Sequence, residues 1–313
     1  MPGICHLLPV RNGEMYIERA LFMMYRNCQV DDEILIIDDG SLDNTPKILK
    51  AFSYKTPNLR FIRVNQLGLV KSLNLGFSES SKNWIARYDV DDIYPSNRIK
   101  LQRGLISEKV AAIFSDYEMT LESGLKMGNF PSPITESATY LSLIRSQQTA
   151  HSSALVNRSF FNAVGGYKQD DFPAEDLGLW LRLGKVGSLI SVPRTLMRYQ
   201  LSNSSTSGSR RKLVLEKRSQ LLSEHFDLDI ITHGDDQELI LRTMEIYSGT
   251  ANEALRKLFF LRNLIAVSTG NYWRLAKPKQ FFEYSIKALF QEPTSLANDL
   301  KLKLYRVVYR KFG

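Results

Sequence analysis

The chain has 313 residues, of which 43% are hydrophobic, and it carries a formal net charge of +8. This length exceeds the usual size of a single domain and predicts one large α/β domain with an appended helical region. Cys5 and Cys28 show neither zinc-ligand spacing nor a disulfide framework, which fits a reducing cytoplasm. No stretch has the pattern of a signal peptide or of a transmembrane helix, so we expect neither.

The first third of the chain alternates short apolar runs with amphipathic segments. This alternation predicts a mostly parallel sheet. The predicted strands are 3–8, 33–38, 59–64, 83–88 and 110–116, and the predicted helices are 14–26, 45–53, 69–80 and 95–108.

The pattern changes beyond Asp116, where two short runs flank a Glu-Ser-Gly turn. We expect a hairpin of 117–121 with 125–129 over the site. The predicted elements that follow are helices 135–146, 158–164 and 175–184 and strands 152–156, 188–192 and 197–201.

A Ser-rich segment at 203–209 is the clearest linker in the chain and sets the predicted domain boundary. We therefore expect one α/β domain at 1–208, with a first part at 1–116 and a second part at 117–208. A helical region with a basic tail would occupy 209–313.

Three carboxylates within four residues, Asp89, Asp91 and Asp92, directly follow the apolar run 84–88. A strand there places these acids at its carboxyl end, where open α/β sheets bind ligands. Alternation along an extended segment sends Asp89 and Asp91 to one side and Asp92 to the other. Hard cations that bridge phosphates use one or two carboxylates, so the pattern favours a cation site. A solvated acidic loop is the alternative, because isolated acidic pairs are common by chance.

Polar groups follow other predicted strands and helices as well. In chain order they are Pro9-Val10-Arg11-Asn12-Gly13, Asp38-Asp39-Gly40-Ser41, Asn65-Gln66-Leu67-Gly68 with Lys71, His151-Ser152-Ser153, Gly165-Gly166-Tyr167, and Glu175-Asp176 before an apolar helix. This ordered set resembles the family 2 glycosyltransferases of the GT-A fold over residues 3–206. The resemblance implies an α/β, Rossmann-like, mostly parallel sheet, a nucleotide-diphosphate sugar donor and inversion at the anomeric carbon. It makes 1–208 a catalytic domain, with 1–116 its nucleotide-binding part and 117–208 its acceptor part.

The resemblance also implies roles for the carboxylate cluster. Asp91 matches the leading ligand of Mn²⁺ or Mg²⁺, and Asp89 matches a second contact, to the ribose or to water on the metal. Asp92 would support the loop or face the acceptor. Asp39 matches the position that accepts a hydrogen bond from uracil N3, which favours a UDP-sugar.

Further donor contacts are implied at the ends of other elements. Pro9, Arg11 and Asn12 would line the base and ribose. Lys71 and Arg87 could add cationic contacts to the donor, although a single lysine on a helix is commonly solvated.

Inversion requires a general base that takes the proton of the acceptor hydroxyl. Asp176 matches this base in the family motif, and Glu175 would orient or bind the acceptor. Helix capping is the alternative for this pair, since carboxylates are stabilised at a helix N-terminus. Trp180 forms a wall of the acceptor site or belongs to the core, which its helical spacing favours. His151 is a further acceptor-side candidate.

The chain departs from the family pattern at one position. Many members carry a histidine in the strand after the Glu-Asp helix, and here Ser202 stands in its place. This departure implies lower metal affinity, or a replacement by Gln200, Ser202 or His151.

The charge of the chain is concentrated at its end. Residues 271–313 contain nine Lys or Arg against three acids, a net charge of +6. Apolar residues alternate with cations in this tail, a composition typical of an interfacial helix at an anionic membrane. The alternative is a basic helix docked on the catalytic domain. No nucleic-acid-binding motif is present, so we expect no nucleic acid partner.

The leading hypothesis is a sugar transferase for surface polysaccharide or glycolipid synthesis, cytoplasmic and peripheral on the inner face of the membrane. One alternative is a nucleotidyltransferase acting on a sugar phosphate, but residues 9–13 lack the Gly-rich, cationic phosphate loop which that chemistry needs. The other is a catalytically degenerate binding or scaffold subunit, supported only by the missing histidine.

Overall fold

The computed structural model describes residues 2–121, 124–132, 149–201 and 211–226, together with residues 139 and 143. The linker at 203–209, Ser202 and the basic tail at 271–313 lie outside the described residues, as does most of the predicted helix 135–146. The described residues belong to a compact unit that runs from Met1 to Asp227.

The first half of this unit alternates strands and helices as predicted. Its elements are β1 (Ile4–Val10), α1 (Ile17–Asn27), β2 (Glu33–Asp38), α2 (Thr45–Ser53), β3 (Leu59–Arg63), α3 (Leu69–Glu79), β4 (Trp84–Arg87) and α4 (Arg98–Arg103). Helix α4 is shorter than the predicted 95–108, because a turn occupies 104–105 and the chain leaves helical geometry there.

The second half contains the remaining described elements. They are β5 (Val110–Leu121), β6 (Lys126–Phe130), a 3₁₀ turn (His151–Ser153), β7 (Leu155–Asn157), α5 (Arg158–Ala163), a 3₁₀ turn (Gln169–Asp171), α6 (Glu175–Leu183), β8 (Ser188–Leu201) and α7 (Arg211–Phe226). The hairpin of β5 and β6 is confirmed by antiparallel pairing.

Two predictions in this half were wrong in detail. The predicted strands 188–192 and 197–201 form the single strand β8, which stays paired with β5 through register shifts near Asp116. The predicted strand at 152–156 begins only at Leu155, because His151–Ser153 forms a 3₁₀ turn.

All eight described strands form one sheet in the order β3-β2-β1-β4-β7-β5-β6, with β8 paired to β5. Strand β1 is parallel to both β2 and β4, and β2 is parallel to β3. Strand β7 is antiparallel to both β4 and β5, so β4 and β5 run in the same direction. The prediction of a mostly parallel α/β sheet is confirmed.

Continuous apolar runs place the core on both faces of the central strands. Every residue of β1 is buried, and β2 is buried from Ile34 to Asp38. Such runs are typical of strands covered by helices on both faces. Helix α3 approaches β1 closely at Gly76, where a Cβ atom would lie 2.3 Å from a methyl of Leu7.

Helix α7 packs against α6, with Leu221 and Leu222 buried. The compact unit therefore continues beyond the predicted boundary at residue 208. Among the described residues, no helix is long and apolar enough to span a bilayer.

Candidate active site

The carboxyl ends of β1, β2, β4 and β5 meet at one edge of the sheet. Val10 pairs with Asp38 at the ends of β1 and β2, and the backbone N–H of Asp39 donates to the carbonyl of Val10 at 2.8 Å. Asp89 follows β4 at the same edge, because the register aligns β4 with β1. Ligand sites in open α/β sheets lie at this edge, so the fold concentrates the predicted site residues there.

Asp89 is held from beneath by Arg87. One guanidinium nitrogen of Arg87 forms an ion pair with the Asp89 carboxylate, and the Arg87 side chain is only 2% exposed. Burial alone would lower the pKa of Arg87, but the charge of Asp89 outweighs burial and raises it. The Arg87 guanidinium is buried and supports Asp89 through this ion pair, and the direct donor contact by Arg87 stays a prediction.

Asp91 and Asp92 differ in exposure as the alternation of side chains suggests. Asp92 is 1% exposed, and it accepts hydrogen bonds from the Ser152 hydroxyl at 2.5 Å and from the Gln200 N–H at 3.1 Å. Asp92 therefore anchors the loop to β8 and does not face an acceptor. Asp89 and Asp91 keep part of their surface exposed.

Burial and neighbouring negative charges raise the pKa values of Asp91 and Asp92. Burial, with the charge of Asp89 next, raises the pKa of Asp91 to about 6. Burial and the charges of Asp89 and Asp91 raise the pKa of Asp92 well above its usual value. Adjacent carboxylates that disfavour one another's charge fit a hard divalent cation, which is bound by oxygen ligands. Asp89 and Asp91 are the pair with exposed surface to offer it.

A second group of potential ligands lies at the opposite edge of the sheet, with His6, Cys28 and Asp32 close together. Asp32 already accepts two hydrogen bonds from the Arg103 guanidinium, at 2.7 and 2.8 Å, and one each from two backbone N–H groups. Burial raises the pKa of Cys28 to about 12, so its thiol stays protonated. The positive charge of Arg103 thus occupies the place that a metal ion would need beside Asp32, and this group of side chains is structural.

The predicted donor side is organised by Asp39. Its carboxylate accepts hydrogen bonds from the N–H groups of Leu67, at 2.6 Å, and Gly68, at 3.0 Å. Asp39 thereby fixes the loop before α3, and its oxygens retain lone pairs for one further donor group. Gly40 has φ +74° beside this loop, a conformation that favours glycine.

The other predicted donor residues surround this point. Asn12 has φ +54°, donates its N–H to the Ser41 hydroxyl at 2.9 Å, and so ties the loop after β1 to the loop after β2. Arg11 and Lys71 are exposed, and Pro9 is buried within β1. These placements are compatible with a base and ribose site, which stays a prediction.

Glu175 and Asp176 begin helix α6. The Leu177 N–H donates to Oδ1 of Asp176 at 2.7 Å. Glu175 is 6% exposed, and its burial, with the charge of Asp176 next, raises its pKa to about 7. The charge of Asp89 also raises this pKa, so the two acidic groups lie close enough to interact across the site.

Helix α6 is held in place by ion pairing beneath it. Arg182 pairs with Asp171 at 2.6 Å and donates to the Gly166 carbonyl at 2.8 Å. Gly178 allows this close approach, because a Cβ atom there would lie 2.2 Å from the Asp171 carboxylate.

His151 and Trp180 contact each other, with ring centroids 5.9 Å apart. Nε2 of His151 is 2.8 Å from the Tyr167 hydroxyl, and burial followed by the charge of Arg87 lowers the pKa of His151 well below its usual value. Trp180 is fully buried, edge-on to Phe114 at 4.9 Å between ring centroids. Trp180 is therefore core, as its spacing favoured, and does not form a wall of an acceptor site.

Three supporting residues received no role of their own from the sequence. The Asn74 amide exchanges two hydrogen bonds with the backbone of Tyr167, at 2.8 and 3.0 Å, and joins α3 to the acceptor side. Ser152 binds Asp92, and the Tyr94 hydroxyl accepts the Asp89 N–H at 2.8 Å. Their partners are distant in sequence or set by a turn, so no local pattern reveals them.

Gln200, one of the residues predicted to replace the family histidine, lies in β8. Its side chain is 9% exposed and accepts a hydrogen bond from Arg19 at 3.0 Å, so it is engaged within the protein. Ser202 lies outside the described residues.

The raised pKa of Glu175 predicts a dependence of stability on pH. The folded protein retains this proton between pH 4.5 and about 7, whereas the unfolded chain loses it at lower pH. Stability should therefore fall as pH rises through this window. Relative to wild type, Glu175→Gln should gain at most about 1.4 kcal/mol of unfolding free energy per pH unit.

Urea unfolding of both proteins between pH 4.5 and 8 measures this difference. A difference that does not change with pH would show that Glu175 titrates normally. The exposed Asp170→Asn is the matched control for replacing an acid by its amide.

Comparison with known proteins identifies the chain. The sequence profile of the glycosyl transferase family 2 matches residues 6–159. An Escherichia coli protein, UDP-Glc:alpha-D-GlcNAc-diphosphoundecaprenol beta-1,3-glucosyltransferase WfgD, is 23% identical over 213 residues, which are 66% of this chain and 80% of that protein.

Two solved structures share the fold. Staphylococcus aureus TarS 1–349 in complex with UDP-GlcNAc has a TM-score of 0.60 at 14% identity, covering 99% of this chain and 92% of the other. The mannosyltransferase PcManGT from Pyrobaculum calidifontis, in complex with GDP-Man and Mn²⁺, has a TM-score of 0.55 at 17% identity, covering 99% and 81%. The profile match, the sheet and the acidic edge together show that the chain belongs to the family 2 glycosyltransferases and has the GT-A fold.

Proposed function

We propose that this glycosyltransferase moves a sugar from a nucleotide-diphosphate donor, a UDP-sugar, to a hydroxyl of a lipid-linked or glycan acceptor, with inversion. The observation that carries this proposal is the acidic pair Asp89 and Asp91 after β4, with a second acidic pair, Glu175 and Asp176, near enough for the charge of Asp89 to raise the pKa of Glu175. The interaction of Asp89 with Glu175 supports their action on one substrate. The names of WfgD and of the TarS complex support a UDP-sugar.

The donor end requires a divalent cation, Mn²⁺ or Mg²⁺, held by Asp91 and Asp89. The Mn²⁺ in the PcManGT structure supports this assignment. A bound cation would neutralise the charge that develops on the diphosphate leaving group. Arg87 orients Asp89 through their ion pair, and Asp39 shapes the nucleotide side by fixing Leu67 and Gly68.

The acceptor end requires a base on the face opposite the leaving group. Asp176 takes the proton of the attacking hydroxyl, and the hydrogen bond from Leu177 orients its carboxylate. Glu175, whose pKa is about 7, can donate or accept a hydrogen bond to the acceptor near neutral pH. Retention of both acidic pairs argues against a degenerate binding subunit.

The direct test is transfer in vitro. The full chain is incubated with a panel of UDP- and GDP-sugars, Mn²⁺, and polyprenyl-diphosphate-linked sugars as acceptors, and products are detected by mass spectrometry. We expect transfer from one UDP-sugar, with an inverted anomeric configuration by NMR. Transfer only from a GDP-sugar, or with retention, would contradict the donor or the mechanism.

We propose that the basic tail, residues 271–313, attaches the enzyme to the membrane that carries the acceptor. This tail lies outside the described residues. Each cation near an anionic membrane contributes about 1 kcal/mol before screening, so a net charge of +6 gives reversible attachment that salt weakens. Truncation before Asn271 should release the protein from anionic vesicles and should reduce transfer to lipid-linked acceptors more than to short water-soluble ones.

Co-sedimentation with anionic and neutral vesicles at low and high salt tests this attachment. A tail in which all nine cations are replaced by glutamine is the matched control, because it keeps the apolar side chains. Equal and negligible binding of the full chain to both vesicles would show that the tail is a docked helix or binds another partner.

A further inference from the structure

Arg19, on helix α1, links three elements at the site. Its Nη2 donates to the backbone carbonyl of Asp91 at 2.7 Å and to Oε1 of Gln200 at 3.0 Å. The N–H of Gln200 in turn donates to Asp92. One guanidinium nitrogen therefore joins α1 and β8 to the carboxylate loop, which we define as residues 89–92.

Several contacts fix the carboxylate loop, and Arg19 makes the one to the main chain of Asp91. Arg87 holds the side chain of Asp89, and Ser152 holds the side chain of Asp92. Arg19 instead holds the main chain of Asp91, leaving its carboxylate unencumbered by this contact. The direction of that carboxylate follows from the backbone from which it projects.

The environment of Arg19 keeps the guanidinium in place. The Tyr16 ring lies 5.3 Å from its central carbon, a cation–π contact that restricts its movement. Its Nε is buried and has no hydrogen-bond partner among the described residues. A buried N–H group without a partner is destabilising, so the stability of the fold alone does not account for Arg19 at this position.

We propose that Arg19 and Gln200 form a clamp that positions Asp91 to bind a divalent cation. This inference rests on the proposed role of Asp91 as a metal ligand. Arg19 is thus a positioning residue that acts through the backbone of Asp91. Groups that orient metal ligands from outside change metal affinity by 10- to 100-fold when they are removed.

The test measures Mn²⁺ binding by electron paramagnetic resonance in the presence of UDP or GDP, whichever supports binding to the wild-type chain. Arg19→Ala should weaken Mn²⁺ binding by about 10- to 100-fold. Gln200→Ala should weaken it in the same direction, and the double variant should be no worse than Arg19→Ala, because both side chains act as one unit. Gln200→Glu, which keeps an acceptor for Arg19, should retain most of the affinity.

Arg26→Ala is the matched control, since Arg26 lies on the same helix, is exposed and stacks on Phe22. It should bind Mn²⁺ like the wild-type chain. Melting temperatures are measured in parallel, because a purely structural role for Arg19 would lower stability without changing Mn²⁺ affinity. That result would overturn the clamp, and Gln200→Ala gives an independent answer if Arg19→Ala does not fold.

Asp91→Ala distinguishes a failure of the clamp from a failure of the metal assignment. Loss of Mn²⁺ binding in Asp91→Ala with normal binding in Arg19→Ala would overturn the clamp alone. Normal binding in Asp91→Ala, or no binding by the wild-type chain with either nucleotide, would overturn the metal assignment on which the clamp depends.

Discussion

Asp91→Ala is expected to abolish sugar transfer while leaving the fold intact. The substitution removes the proposed metal ligand from a partly exposed loop and opens no cavity in the core. It also removes a charge that raises the pKa of Asp92, so stability should be unchanged or slightly higher. Initial rates with Mn²⁺, with Mg²⁺ and with excess chelator measure the effect, and circular dichroism confirms the fold.

The control for this experiment is Asp31→Ala, which removes an exposed carboxylate that precedes β2 at the opposite edge of the sheet. We expect wild-type rates from this variant in every metal condition. Full activity of the wild-type chain in excess chelator would show that no divalent cation takes part in transfer.

The sheet was predictable because its central strands consist largely of consecutive apolar residues. Ile34 to Ile37 and Trp84 to Ala86 are buried on both faces, and such runs need no distant partner to be recognised. The acids that end β2 and β4 follow directly, so their meeting at one edge was predictable as well. Strand β8 was divided in error, because the polar and proline residues at 193–195 interrupt an apolar pattern without ending the pairing with β5.

The side chains that support the site were not predictable in the same way. Arg87 was interpreted as a donor contact, but its 2% exposure and its ion pair with Asp89 could not be predicted from the sequence. Sequence gives the position of a residue along a strand, but the sheet decides which charged group is buried and therefore requires a partner. Asn74 and Tyr167 are 93 residues apart, and Arg19 and Gln200 are 181 residues apart. Hydrogen bonds over such separations leave no trace in local composition.

Asp176→Asn tests the chemistry at the other end of the site. Asparagine keeps the shape of the side chain and can still accept the Leu177 N–H, but it is not a base. Turnover should therefore fall by about 10²- to 10⁴-fold. Donor affinity should be nearly unchanged, because the assigned donor and metal contacts lie on other elements. Initial rates at saturating donor and titration calorimetry with the UDP-sugar measure the two quantities separately.

The partner variant Glu175→Gln distinguishes a base from a group that orients the acceptor. A residue that only binds or orients the acceptor should raise KM for the acceptor and lower kcat less than Asp176→Asn does. Burial raises the pKa of Glu175 to about 7, so the neutral and charged forms are both populated near pH 7, and the neutral glutamine analogue should be the milder change. If Asp176→Asn lost donor binding but kept normal turnover at saturation, Asp176 would be a donor ligand. Another residue would then be the base, and Glu175 would be the first candidate.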